Sequence, residues 1–132
     1  MLQHLLLVLK EQHQYILQEQ YKKVALPLNV FKTVTEVAST SATEIYTAPV
    51  GYTGVVLLAQ AANVDTSSHD VTFSHKRSST VTELGNEIAI PPNDSMSLVS
   101  GRLVLEPGDK LVLQASTSTG IKVTVSLLET LN

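Results

Sequence analysis

Residues 105–116, LEPGDKLVLQAS, place a proline–glycine turn ahead of a strand whose Leu111, Leu113 and Ala115 share one face. Pro fixes φ and Gly permits positive φ, so Pro107-Gly108-Asp109 is strong β-turn material. Leu103 and Leu105 continue the alternation ahead of the turn, which predicts a hairpin across it. Downstream, Ile121, Val123, Val125 and Leu127 alternate with Lys122, Thr124, Ser126 and Leu128. A period of two puts the first set on a buried face and the second largely against water.

The same grammar recurs upstream, where YTAPVGYTG (46–54) runs into VVLLAQAAN (55–63). Strands are expected at Val30–Val37, Thr43–Thr47, Gly54–Ala62, His69–Lys76, Thr80–Ile90, Ser95–Val99, Arg102–Leu105, Lys110–Ala115 and Ile121–Leu128. Short strands at this spacing predict an all-β, jelly-roll-like antiparallel β-sandwich. Val55, Val56, Leu57, Leu58 and Ala59 are apolar on both faces, as in a central strand covered twice. The cover is either an overlying loop or N-terminal segment, or a neighbouring subunit.

The first 25 residues, MLQHLLLVLKEQHQYILQEQYKKVA, contain no Gly or Pro and are rich in good helix formers. They predict an N-terminal α-helical arm from about Leu2 to Lys23. Leu2, Leu6, Leu9, Ile16 and Leu17 fall near one stripe, an imperfect seam that packs either on the chain's own sandwich or, projecting from it, against symmetry mates or another protein. Leu26-Pro27-Leu28-Asn29 ends the helix and restarts an extended chain, so the arm is an appendage. The expected organisation is an arm over 1–25 and a sandwich over 26–132. The seam residues, with Val56 and Leu58 as a second patch, are the candidate assembly interface. The LLLVL run lacks a preceding basic region and a small-residue cleavage site, and Lys10 and Glu11 follow at once. Neither a signal peptide nor a membrane span is expected.

Composition excludes several chemistries. The chain has no Cys, so disulfides, thiolate catalysis and Cys-type zinc sites are out. A net charge of -3, with only Lys76 and Arg77 adjoining in the strand region, argues against nucleic acid as a partner. Four Tyr, two Phe and no Trp offer no evident stacking platform for sugars or bases. In one strand His69 and His75 would stand about 20 Å apart, too far to share an ion. Both are expected as surface or interface residues, and Asp65, Asp70, Glu106 and Asp109 are expected as solvated turn residues. No nucleophile elbow, phosphate loop or calcium loop is present. The expectation is a non-enzyme with no cofactor and no metal.

The stretches TEIYTAPVGYTGVVLLAQAANVD and EIAIPPNDSMSLVSGRLVLEPGDKLVLQAS, followed by the final alternating strand, resemble small β-sandwich virion proteins of tailed bacteriophages. The resemblance covers roughly residues 43–128 and leaves the arm outside it. It implies a structural component located in the virion: a capsid decoration or cement protein, or a neck, baseplate or fibre-attachment module. It further implies a homo-oligomer, trimer favoured, docked onto virion proteins such as the major capsid or neck and tail proteins. The alternative is a receptor- or carbohydrate-binding fibre-tip module using the Thr66–His69 and Thr117–Gly120 loops.

Overall fold

A computed structural model describes residues 27–132 of the chain. The expected arm, with Leu2, Leu6, Leu9, Ile16 and Leu17, lies outside the described residues. Nine strands follow: β1 (Asn29–Val37), β2 (Thr43–Thr47), β3 (Tyr52–Asn63), β4 (His69–Arg77), β5 (Thr80–Ile90), β6 (Ser95–Ser97), β7 (Leu103–Leu105), β8 (Lys110–Ala115) and β9 (Ile121–Leu131). They form a β-sandwich of two antiparallel sheets. The first has the order β1-β9-β3-β6, with β7 sharing the β3 edge, and the second has the order β2-β8-β4-β5. The chain crosses between sheets at nearly every connection, and β4–β5 is the hairpin.

β9 sets the core register. Ile121, Val123, Val125 and Leu127 are buried while Lys122 and its alternates face outward, as the period of two requires. Opposite them the second sheet contributes Val71, Phe73, Leu111 and Leu113, all fully buried. β3 carries a bulge between Val56 and Leu58 that resets its parity, so Val56 and Ala59 both point inward although they are three residues apart. That bulge is why the VVLLA run reads as apolar on both faces. One face is core, and the other is the outer surface of the first sheet.

The expected hairpin across Pro107-Gly108-Asp109 is not formed. β7 pairs with β3 in one sheet, and β8 pairs with β2 and β4 in the other. The turn is a corner between sheets, with Gly108 at φ 88 as a left-handed conformation requires. It is fastened to the β2–β3 loop: Gly108 N–H donates to the Ala48 carbonyl at 2.9 Å, and Ala48 N–H donates to the Asp109 carbonyl at 2.9 Å. Alternation of Leu103, Leu105, Leu111 and Leu113 reports inward-facing residues of both sheets, not pairing between neighbours.

Candidate functional site

The second sheet's residues fix a set of internal ion pairs. Asp109 is 2% exposed. It accepts from Arg77 Nε at 2.9 Å and Nη2 at 2.7 Å, from His75 Nε2 at 2.9 Å, and from the Glu106 N–H at 2.9 Å. The Arg77 guanidinium, then the His75 ring, hold the Asp109 carboxyl well below the usual carboxylate range. The expectation of a solvated Asp109 is therefore corrected. A turn residue becomes buried when four donors from three residues converge on it, from β4 and from its own turn. His75 is half-buried in the same cluster.

Between the sheets, Tyr46 Oη donates to Glu129 Oε2 at 2.5 Å, and Lys32 Nζ lies 3.2 Å from Glu129 Oε1. Burial, then the Glu129 carboxylate, push the Tyr46 phenol up, so it stays a donor at any physiological pH. On the surface Glu44 takes both Lys76, at 2.9 Å, and Lys110, at 2.7 Å. These lysines, Lys110 foremost, lower its carboxyl to about 2. Lys76 and Arg77 are thus committed to carboxylates. At one end of the sandwich, Asp65 Oδ2 meets His69 Nε2 at 2.8 Å, and Val64 N–H donates to the Gly120 carbonyl at 2.9 Å. This brings the 66–69 and 117–120 loops side by side. A Cβ on Gly120 would lie 3.0 Å from the His69 ring and 3.1 Å from the Asp65 Cβ, so a larger residue there asks these neighbours to give by a few tenths of an ångström. Among the described residues no group of three or more His, Asp or Glu could hold a metal ion. No helix among them is long and apolar enough to cross a membrane.

Two outward faces remain. The second sheet's is an open depression of about 440 Å³, floored by Val112 and lined by Thr72, Ser74, Glu83 and Gln114 among others. Its lining holds no aromatic ring on which a sugar could stack. The first sheet's outer face carries apolar residues aligned by register: Phe31 opposite Leu128, Leu128 opposite Val55, and Val55 opposite Val104. This row crosses four strands. Phe31 is 74% exposed, Val104 57% and Leu58 44%. Contiguous exposed apolar surface of this kind marks interaction sites on soluble domains.

Of the predicted interface residues, Leu58 lies on this face. Val56 does not: it is fully buried in the domain's own core and offers nothing to a neighbour. The bulge after Val56 separates the two. The row itself escaped sequence reading because its members come from four strands and meet only through long-range pairing.

No protein-family model and no curated protein matches the sequence. Among solved structures, the chain is similar to a protein of the acid-stable capsid of Helicobacter pylori bacteriophage KHP30, at 10% identity and a TM-score of 0.51, over 80% of this chain and 89% of that one. It is similar also to a protein of the T13 IBDV viral particle, at 8% identity and a TM-score of 0.51, over 80% of this chain and 32% of that one. The chain thus spans about a third of that capsid protein's length. A protein of Bacillus endospore appendages, disulfide-linked pili, matches at 15% identity and a TM-score of 0.46 over 79% of this chain and 88% of that one. The β-sandwich described here is a fold that phage and viral capsid proteins also use.

Proposed function

We propose that the chain is a non-enzymatic structural protein of a phage virion, either a capsid decoration or cement protein or a neck- or tail-attached module. It assembles as a homo-oligomer, with three copies favoured, and docks onto other virion proteins. The observation that carries this reading is the apolar row Phe31–Leu128–Val55–Val104 on the outside of a fold shared with capsid proteins. The sheet orders β1-β9-β3-β6 and β2-β8-β4-β5, with the chain alternating between sheets, support a jelly roll, an architecture recurrent in capsids. The mechanism is adhesion by surface complementarity, with modest contacts summed over many symmetry-related copies. Ion pairs engage Glu44, Lys76, Arg77 and Lys110 of the second sheet, whereas the outer row of the first sheet offers apolar area.

Mass spectrometry of gradient-purified particles, from the phage that carries this sequence, tests the location. Peptides of this chain should co-sediment with particles at a fixed ratio to the major capsid protein. Recovery only in the soluble lysate would overturn the reading.

A further inference from the structure

We infer that the open edge of β1 pairs with the β1 edge of a second copy of this chain, antiparallel and in one register, with Val34 opposite Val34. The inference rests on the assembly reading above and names a contact which that reading leaves unspecified. β1 ends the first sheet, and its register with β9 runs unbroken from Asn29 to Val37. The other edges are blunted. β2 is five residues long and shifts register between Glu44 and Tyr46. β5 shifts twice against β4 and carries Glu87 at φ 49. β6 and β7 have three residues each. Bulges and short length are how sheets keep their edges from pairing with another chain, and β1 has neither.

The hydrogen-bond phase fixes what a second strand would meet. Ala38 N–H donates to the Ile121 carbonyl at 2.9 Å, and Leu131 N–H donates to the Leu28 carbonyl at 2.8 Å. Both pairs continue the β1–β9 register, so even-numbered residues turn their backbone groups toward β9. Phe31, Thr33, Thr35 and Val37 therefore turn theirs to the open edge. A two-fold centred on Val34 sets Phe31 opposite Val37 and Thr33 opposite Thr35 as hydrogen-bonded pairs. Four such pairs of two bonds each give about eight main-chain hydrogen bonds. Lys32 falls opposite Glu36, and Val34 opposite itself, at the non-hydrogen-bonded positions where side chains approach most closely.

Charge singles out this register. A centre at Lys32 or at Glu36 would set like charges against each other, and a centre at Thr33 or Thr35 would set both charges against apolar residues. Only the Val34 centre matches both charges. Lys32 is half exposed and meets Glu129 at 3.2 Å; its ammonium has three donors, so that contact leaves two for Glu36 of the second copy. On the outer face Phe31 and Val37, 74% and 47% exposed, meet across the two-fold and extend the apolar row into the second copy. An isologous contact joins copies in pairs, so it links closed oligomers rather than closing a ring of three.

Because the chain has no Cys, disulfide trapping reads the contact without background. Full-length Val34→Cys should oxidise to a covalent dimer, since the two Cα atoms stand about 4.5 Å apart, within reach of a disulfide. Glu36→Cys should not, because its two copies lie about 13 Å apart along the strands. Absence of the Val34→Cys crosslink, or equal crosslinking by Glu36→Cys, overturns the inference. As a second measurement, Glu36→Lys in the full chain should leave the melting temperature nearly unchanged, since Glu36 is exposed. It should raise the dissociation constant of the pairwise step roughly tenfold, an effect that added salt reduces. If that variant assembles as tightly as an oligomeric wild type, this inference fails while the assembly reading stands. A monomeric wild type sinks both.

Discussion

Phe73→Ala should cost about 3–5 kcal/mol of folding stability, a large part of the roughly 5–15 kcal/mol margin of a single domain. Phe73 is fully buried in β4, paired with Leu113 of β8 on one side and Gly85 of β5 on the other. Truncation there removes a ring from the middle of the second sheet's inner face, where two hydrogen-bonded strands hold the backbone in place and prevent the core from closing over the gap. Urea unfolding checks it. The midpoint should fall by about a third to a half with the slope unchanged, because the surface exposed on unfolding stays nearly the same. A midpoint shift of less than a quarter would mean that the sandwich interior is looser than its burial indicates.

Asp109→Ala should cost about 3 kcal/mol, a drop of about 15 °C in melting temperature. The change strands the His75 ring and the Glu106 N–H and takes from Arg77 the buried one of its two carboxylates, leaving it Glu106 Oε2 at 2.6 Å. The figure sits at the low end of the range for broken buried pairs because Arg77 is half exposed and recovers water. The sign of the pH dependence follows from the same contacts. Asp109 is held below its ordinary value in the folded state, so its contribution is fully present above about pH 4 and is lost as pH falls through the folded value. Glu44, lowered to about 2, acts in the same direction at the surface. Wild-type stability should therefore fall on acidification below about pH 4, and Asp109→Ala should flatten that limb. An identical acid limb in both proteins would show that the cluster contributes nothing to acid sensitivity.

The strands were legible because short-range alternation is enough to find them. Ile121 to Leu127 and Leu111 to Ala115 carry a period of two that nothing else produces. Partners were not legible. The turn at Pro107-Gly108-Asp109 announces a reversal in direction, and the same residues serve a hairpin or a corner between sheets. Which one forms depends on β3 and β2, some fifty residues earlier. The bulge at Leu57 was hidden for a related reason: a run of five apolar residues gives no parity break to detect. The Asp109 cluster and the Phe31–Val104 row have the same origin. Arg77 and Asp109 lie far apart in sequence, as do Phe31, Val55, Val104 and Leu128, and register alone brings them together. A chain in which β4–β5 is the hairpin writes most of its contacts at long range.

The central claim is that this sandwich exists to assemble. Sedimentation equilibrium of the full chain, set against a chain beginning at Leu26, tests it most directly. The account predicts a closed oligomer, three copies favoured, for the full chain and a smaller species for the shortened one; two monomers with equal melting temperatures would contradict it.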